Sequence, residues 1–228
     1  MRAISTARQV IDLRSLLRLL WQERRFVLWF PLYLAIFVVL ERVPSGGYWA
    51  TQLPLDRRIP FCPFFVVLYC TWYPFWVVTG LYLLKHHRDA FRRYMRFLAL
   101  TFFLSELIWF LVPNGQDLRP HILAQDDFFS AVLSALYRID TNTNVFPSVH
   151  VLGAVGAALA LWDALGRQRP WLCTGWTVLA VLISLSTLFV KQHSLLDVTG
   201  GLVLSLLVGL PLYGKRRQAL VHSYDADL

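Results

Sequence analysis

The sequence predicts an all-α, polytopic membrane protein with six transmembrane helices and an N-terminal interfacial helix. Three observations carry this prediction. The 228-residue chain is 57% hydrophobic and only 16% charged, with a mean hydropathy of +0.50, whereas soluble domains average about 25% charged residues. The apolar residues are gathered into runs close to the length of about 20 residues that crosses a bilayer. The basic residues are concentrated in alternate loops, as in helical membrane proteins.

The N-terminal segment, residues 1–25, predicts a helix that lies on the membrane surface. Apolar residues from Val10 to Leu20 form a stripe, and Arg14 and Arg18 lie on a basic side. This pattern is typical of an interfacial helix on an anionic leaflet. A cleaved signal peptide would place its apolar core earlier and end in small residues.

The remaining residues, 26–228, are predicted to form one six-helix membrane domain. The apolar runs cover residues 26–42, 60–84, 95–113, 148–165, 171–190 and 195–213. The third loop, about 114–147, is the longest polar stretch and contains the run from Asp140 to Asn144. Long loops in compact proteins are often functional.

The net charge of +8 is distributed as in a membrane protein, so we expect no nucleic-acid partner. Basic residues crowd the N-terminus, the second and fourth loops and the C-terminus, whereas the third loop carries Asp117, Asp126 and Asp127. The positive-inside rule then places both termini in the cytoplasm and loops one, three and five on the opposite face. We expect an integral protein of the plasma (inner) membrane, surrounded by membrane lipids.

Two polar strings interrupt the apolar sequence, Pro147 to His150 and Lys191 to Asp197. Ionisable groups beside hydrocarbon are costly, which makes them candidates for function. His193 and Asp197 are four residues apart, so on a helix they share one face. A carboxylate at one ring nitrogen leaves the other free to act as nucleophile or base. A purely structural His–Asp pair has the same spacing.

His150 is predicted to lie on the same membrane face as His193. About two crossings and one short cytoplasmic loop separate the two histidines, so the chain leaves that face and returns to it. Two histidines, one of them held by a carboxylate, could supply a nucleophile and a general acid.

Three further residues of this face favour an anionic ligand. Arg119 and Lys191 could hold phosphate oxygens, and Ser148 stands at a helix start, where backbone N–H groups and the helix dipole attract negative charge. Together these residues predict a phosphate pocket. Zinc bound by His150, His193 and Asp197 is the alternative chemistry, although the neighbouring cations and the lack of an adjacent Glu argue against it.

These strings, in this order, resemble the type 2 phosphatidic acid phosphatase superfamily of membrane lipid phosphatases. The family's three motifs match in part. The matching residues are Arg119 and Pro120 in the first, Pro147, Ser148 and His150 in the second, and Ser186, His193 and Asp197 in the third. Three positions differ, since Val112 and Thr187 replace cations and Val149 replaces a glycine. With these differences, the sequence resembles more closely a divergent branch of the superfamily, which includes transferases of phosphoinositol and phosphocholine to ceramide.

The resemblance implies six transmembrane helices, a metal-independent reaction without a cofactor, and a lipid phosphate or pyrophosphate as substrate. It implies that His193 attacks phosphorus, that Asp197 orients it, and that His150 protonates the leaving lipid alcohol. Arg119, Lys191 and Ser148 would bind the phosphoryl oxygens. A phosphotransferase that passes a headgroup to a lipid alcohol is the alternative in the same pocket. A transporter that uses the His–Asp pair as a proton relay is a third hypothesis.

Overall fold

The computed structural model describes residues 13–42, 47–120 and 127–225, and the side chains as far as Gly214. Eight α-helices cover most of this part of the chain. They are α1 (Leu13–Gln22), α2 (Trp29–Arg42), α3 (Val66–His86), α4 (Arg88–Leu111), α5 (Phe128–Ile139), α6 (Val149–Leu165), α7 (Pro170–Phe189) and α8 (Leu195–Asp225). Two short strands, β1 (Trp49–Ala50) and β2 (Asn114–Gly115), pair in parallel.

Four helical segments are long and apolar enough to cross a membrane. They are Pro63–His86, Arg88–Leu111, Pro170–Phe189 and Leu195–Gly214. The other two predicted spans are helices too, but α2 has 14 residues and α6 has 17. At 1.5 Å per residue these two helices are about 21 and 26 Å long, which is shorter than a hydrocarbon core of about 30 Å. The structure therefore supports a helical membrane protein and leaves the count of six spans unconfirmed.

Helix α6 is the centre of the bundle and packs against α3, α4, α7 and α8. Its sequence allows this position because small residues bring the neighbouring helices close. A Cβ on Gly153 would lie 2.6 Å from Trp72 Nε1, and one on Gly156 would lie 2.6 Å from Phe97 Cε1. Tight packing around small residues is a common way to associate helices where lipid removes the hydrophobic driving force.

Ion pairs tie together the end of the bundle at which the fourth helix begins. Arg92 lies 2.6 Å from Glu23, and Arg93 lies 2.6 Å from Asp163 at the end of α6. Helix α4 starts at Arg88, seven residues before the start of the predicted span at residue 95. Arg92 and Arg93 therefore belong to the first turns of the helix and not to a loop. The predicted second loop is reduced to His87, between α3 and α4.

The opposite end gathers loops one, three and five, as the alternation of the helices predicts. Strand β1 of the first loop pairs with β2 of the third. The Gln116 amide donates to the Lys191 carbonyl at 2.7 Å, and the Ser194 hydroxyl donates to the Thr51 carbonyl at 3.1 Å. Three segments far apart in sequence therefore form one layer over this end.

The third loop contains helix α5, which the sequence reading missed. Asp127 caps it by accepting the N–H groups of Phe129 and Ser130 at 2.8 and 3.1 Å. Leu133 is buried against α3, while Phe128 is exposed. The helix is apolar enough to resemble a span but only 12 residues long.

The predicted interfacial segment, residues 1–25, is described in part. Helix α1 covers its second half, and residues 1–12 lie outside the described residues. Leu16 and Leu20 pack against the core, whereas Leu17 and Trp21 are exposed. The helix is therefore amphipathic with one apolar side on the bundle, and its contact with a membrane surface stays a prediction.

Candidate active site

The start of α6 positions Ser148 and His150. Ser148 is the N-cap of the helix, and its hydroxyl oxygen accepts the N–H of Val151 at 3.4 Å. Its own backbone N–H donates to the Asp197 carbonyl at 3.0 Å, which joins the starts of α6 and α8. The predicted phosphate ligand Ser148 is fully buried in this role.

The His150 ring lies between two aromatic side chains of α3. Its centroid is 4.2 Å from that of Tyr69 and 4.5 Å from that of Trp72. His150 Nε2 is buried and has no hydrogen-bond partner among the described residues. Buried polar atoms in native proteins are normally paired, and the described residues supply no partner to this nitrogen.

The two histidines meet, as the topology predicts. The ring centroids of His150 and His193 are 5.6 Å apart, although 43 positions separate the residues in the chain. This spacing places both rings within reach of one phosphorus atom and its oxygens.

A tight turn after α7 delivers His193 to this position. Lys191 has a φ of 54°, the left-handed conformation that usually belongs to glycine at a helix end. The N–H groups of Gln192 and His193 donate to the Thr187 carbonyl at 3.0 and 3.2 Å, and that of Lys191 donates to Leu188 at 3.2 Å. A non-glycine residue in this conformation costs about 1 kcal/mol or more, and such strain often occurs at functional sites.

Asp197, in the first turn of α8, contacts two residues that precede it, Ser194 and His193. Its Oδ2 accepts the N–H of Ser194 at 2.6 Å, and the Ser194 hydroxyl accepts the Asp197 N–H at 3.2 Å. This reciprocal arrangement is a capping box at the start of α8. The same Oδ2 lies 3.7 Å from Nδ1 of His193, which is longer than a hydrogen bond but within ion-pair distance. The predicted His–Asp pair is thus built on a structural cap.

The Arg119 side chain supports the third loop. Its guanidinium donates to the carbonyls of Asp140 and Thr141 at 2.7 and 2.6 Å, and it also bonds the Gln192 side chain. It lies 4.3 Å above the Tyr137 ring. Burial lowers the pKa of Arg119, and the nearby Asp140 opposes this shift. Arg119 therefore holds the backbone around Asp140 in place.

The Lys191 side chain contacts the first loop. Its ammonium donates to the carbonyls of Asp56 and Ile59 at 2.9 and 2.6 Å. Burial lowers the pKa of Lys191, and the charge of Asp56 raises it. The ammonium borders a second, more polar cavity that also includes Arg57. Its contact with phosphate stays a prediction.

A cavity of about 300 Å³ opens beside the two histidines. Aromatic side chains of α2, α3 and α4 form one part of its wall, and the residues that follow α5 form the polar part. Its charged lining includes Glu41 and Asp140, which the sequence reading did not assign to the site. A glutamate at the end of the apolar run of α2 is the sequence signal that could have found Glu41.

Among the described residues, no group of three or more His, Cys, Asp or Glu is arranged to hold a metal ion. The zinc alternative for His150, His193 and Asp197 therefore gains no support from the described part of the chain.

Comparison with known proteins adds one finding. The model of a family described as the PAP2 superfamily matches residues 60–219, which include both histidines and Asp197. No curated protein and no solved structure matches the chain significantly.

Proposed function

The chain belongs to the PAP2 superfamily, and we propose that it transfers a phosphoryl group from a lipid phosphoester at the two-histidine site. The observation that carries this proposal is the placement of His150 and His193, with ring centroids 5.6 Å apart, on the wall of one cavity. Asp197 lies beside Nδ1 of His193 and nothing comparable lies beside His150 in the described residues, so the two rings are suited to different tasks.

In the first step, His193 is the nucleophile. With the Nδ1 proton directed at Asp197, the lone pair on Nε2 attacks phosphorus. The bond between phosphorus and the lipid oxygen breaks, and protonated His150 gives its proton to that oxygen, so the lipid alcohol leaves neutral. The phosphoryl group is then bound to His193, and Asp197 stabilises the positive charge on the ring.

In the second step, an acceptor hydroxyl attacks the same phosphorus. His150, now neutral, takes the acceptor's proton, and the phosphorus–nitrogen bond to His193 breaks. If the acceptor is water, the chain is a lipid phosphate (or pyrophosphate) phosphatase, which is the first candidate function. The residues return to their starting protonation states in either case.

A headgroup phosphotransferase is the second candidate, and a specific observation favours it. The predicted phosphate ligands Arg119 and Lys191 donate to backbone carbonyls. A dianionic phosphomonoester would require these cations to exchange those carbonyls for phosphate oxygens. A phosphodiester carries a single negative charge and needs less neutralisation, and its headgroup can pass to a lipid alcohol in the second step.

We also propose that α2 and α6 cross the membrane with the four longer helices, which gives six spans. The central position of α6 supports this, since its neighbours α3, α4, α7 and α8 shield it from lipid. An even number of spans keeps both termini on one side, and the basic residues favour the cytoplasm. The histidine site then faces away from the cytoplasm, in the plasma (inner) membrane.

The proposal is tested by following lipid alcohol release from a panel of lipid phosphoesters by the purified chain in mixed micelles with EDTA. We expect turnover by the wild type and none by His193→Ala. Undiminished release by that variant would contradict the role of His193. Failure of the wild type on every lipid, together with pH-dependent ion flux in liposomes, would favour the proton-relay hypothesis.

A further inference from the structure

Three arginine side chains surround one aromatic ring at the end of the bundle opposite the histidines. The guanidinium carbons of Arg25, Arg92 and Arg96 lie 4.9, 5.9 and 5.2 Å from the ring centroid of Phe26. Each distance is within the range of a cation–π contact. Three positive charges around one ring also repel one another, so this arrangement is favourable only with negative charge close to it.

Two carboxylates of the chain supply part of that negative charge. Glu23 is buried, and its two oxygens accept hydrogen bonds from Arg92 at 2.9 and 2.6 Å. The hydrogen bond from Arg92 lowers the pKa of Glu23, and the charges of Arg88 and Arg25 act in the same direction. The carboxylate of Asp89 lies 3.3 Å from Arg92 as well. Both carboxylates therefore pair with the same arginine.

The other arginines of this cluster have no carboxylate partner. Arg25, Arg88 and Arg96 are exposed, and none of them lies within 4 Å of a carboxylate in the part of the chain that the structure describes. With Arg92 they make four positive charges against the two negative charges of Glu23 and Asp89. This excess favours an anionic ligand, to which guanidinium groups donate strong, charge-assisted hydrogen bonds.

The arginine cluster lies where the apolar part of α4 begins. Arg96 directly precedes a stretch, Phe97 to Leu104, that contains no charged residue. Leu100 and Leu104 follow Arg96 at intervals of four, so the three side chains share one face of the helix, and both leucines are exposed. Leu28, next to the start of α2, is exposed too. Cations beside exposed apolar side chains match the headgroup and the acyl chains of one membrane lipid.

We propose that Arg25, Arg88 and Arg96 bind the phosphate of an anionic phospholipid in the leaflet at this end of the bundle. The planar guanidinium groups suit bidentate contact with phosphate oxygens, and the acyl chains lie along the exposed leucines of α4. Because Arg25 precedes α2 and Arg96 belongs to α4, the bound lipid links these two segments. No residue of the histidine site takes part, so the inference is independent of the proposed function.

The number of retained lipids measures this site directly. The full chain is purified in detergent with a phosphatidylglycerol or the matching phosphatidylcholine, and native mass spectrometry counts the bound molecules. All proteins carry His193→Ala, which prevents turnover. We expect this parent to retain one phosphatidylglycerol more than Arg25→Gln/Arg96→Gln does, and the two proteins to retain equal numbers of phosphatidylcholine. Arg92 is left unchanged because it bonds the buried Glu23.

Arg167→Gln/Arg169→Gln is the matched control. These arginines lie between α6 and α7 at the same end of the bundle, are exposed, and make no ion pair with any residue that the structure describes. The same loss of two charges should leave the number of bound phosphatidylglycerol molecules unaltered. If this control loses the lipid as Arg25→Gln/Arg96→Gln does, net charge and not a site attracts the lipid, and the inference is wrong.

Glycerol 3-phosphate distinguishes a lipid from a soluble phosphate compound. It carries the phosphate without acyl chains, so at equal concentration it should leave the bound phosphatidylglycerol in place. Displacement would overturn the assignment to a lipid. Equal numbers of phosphatidylglycerol on the parent and on Arg25→Gln/Arg96→Gln would overturn the site itself.

Discussion

Asp197 makes a structural contact with Ser194 and is proposed to have a catalytic role at His193, and substitutions can separate the two. Its Oδ2 accepts the Ser194 N–H at 2.6 Å in the capping box of α8 and lies 3.7 Å from Nδ1 of His193. Asp197→Asn keeps an oxygen for the cap but removes the charge that stabilises a cationic His193. Ser194→Ala removes the other half of the cap, the 3.2 Å bond from the Asp197 N–H, and also the 3.1 Å bond to the Thr51 carbonyl, but it leaves the carboxylate.

The contact of Asp197 with His193 predicts a large effect on kcat, and its contact with Ser194 predicts a small effect on stability. The side chain of His193 is 8% exposed and that of Asp197 is 0% exposed, so solvent screens their interaction only weakly. With an effective dielectric constant of about 20, two unit charges 3.7 Å apart attract by about 4.5 kcal/mol. If this attraction is realised only when His193 carries the phosphoryl group, its loss lowers kcat about 10³-fold. The cap is worth about 1 kcal/mol of stability in either variant.

The assay compares lipid alcohol release with the thermal unfolding midpoint in detergent for both variants. We expect a loss of stability in both variants, larger in Ser194→Ala because it also loses the bond to Thr51, but a large loss of kcat in Asp197→Asn alone. If Ser194→Ala loses as much kcat as Asp197→Asn, Asp197 acts only through the cap. Wild-type kcat in Asp197→Asn would equally refute the electrostatic role.

Three further predictions concern other parts of the fold. Arg119→Lys should lower the free energy of unfolding by about 2 kcal/mol, because an ammonium cannot replace the guanidinium's bonds to the third loop. A raised KM with an unchanged free energy of unfolding would instead indicate that Arg119 binds phosphate. The hydrogen bond from Arg92 lowers the pKa of Glu23 below 4.5, so its stabilisation is complete above that pH and lost as pH falls through the lowered pKa. Between pH 6 and pH 3, the unfolding midpoint of Glu23→Gln should therefore fall less than that of the wild type. Equal pH dependence of the two midpoints would contradict the pairing of Glu23 with Arg92. Gly153→Ala should cost about 1–3 kcal/mol, since its Cβ would lie 2.6 Å from Trp72 Nε1; an unchanged unfolding midpoint would show that the aromatic ring moves freely.

The long helices were predictable because an apolar run of about 20 residues can form few structures other than a membrane-spanning helix. The start of α4 was not, since Arg92 and Arg93 read as loop residues until their partners Glu23 and Asp163 are known. Helix α5 was missed for a similar reason. A helix of 12 residues is too short to span a membrane, and only the burial of its inner side against α3 shows what it packs on.

The positions of site residues were predictable where they depend on the topology of the helices, and not where they depend on side-chain contacts. Alternating spans were enough to bring His150 and His193 to one face. The directions of Arg119 and Lys191 depend on backbone carbonyls supplied by other loops, which no spacing in the sequence reveals. Glu41 joins the site through contacts about 100 residues distant in sequence, with Thr141 and Asn144.

The most direct test of the account is to trap the covalent intermediate. The wild type is mixed with a lipid phosphoester labelled with ³²P, quenched within one turnover, and digested to locate the label. The account predicts an acid-labile, base-stable label on the peptide that contains His193, absent from His193→Ala and longer-lived in His150→Ala. Turnover without any label, or a label on another residue, would contradict His193 as the nucleophile.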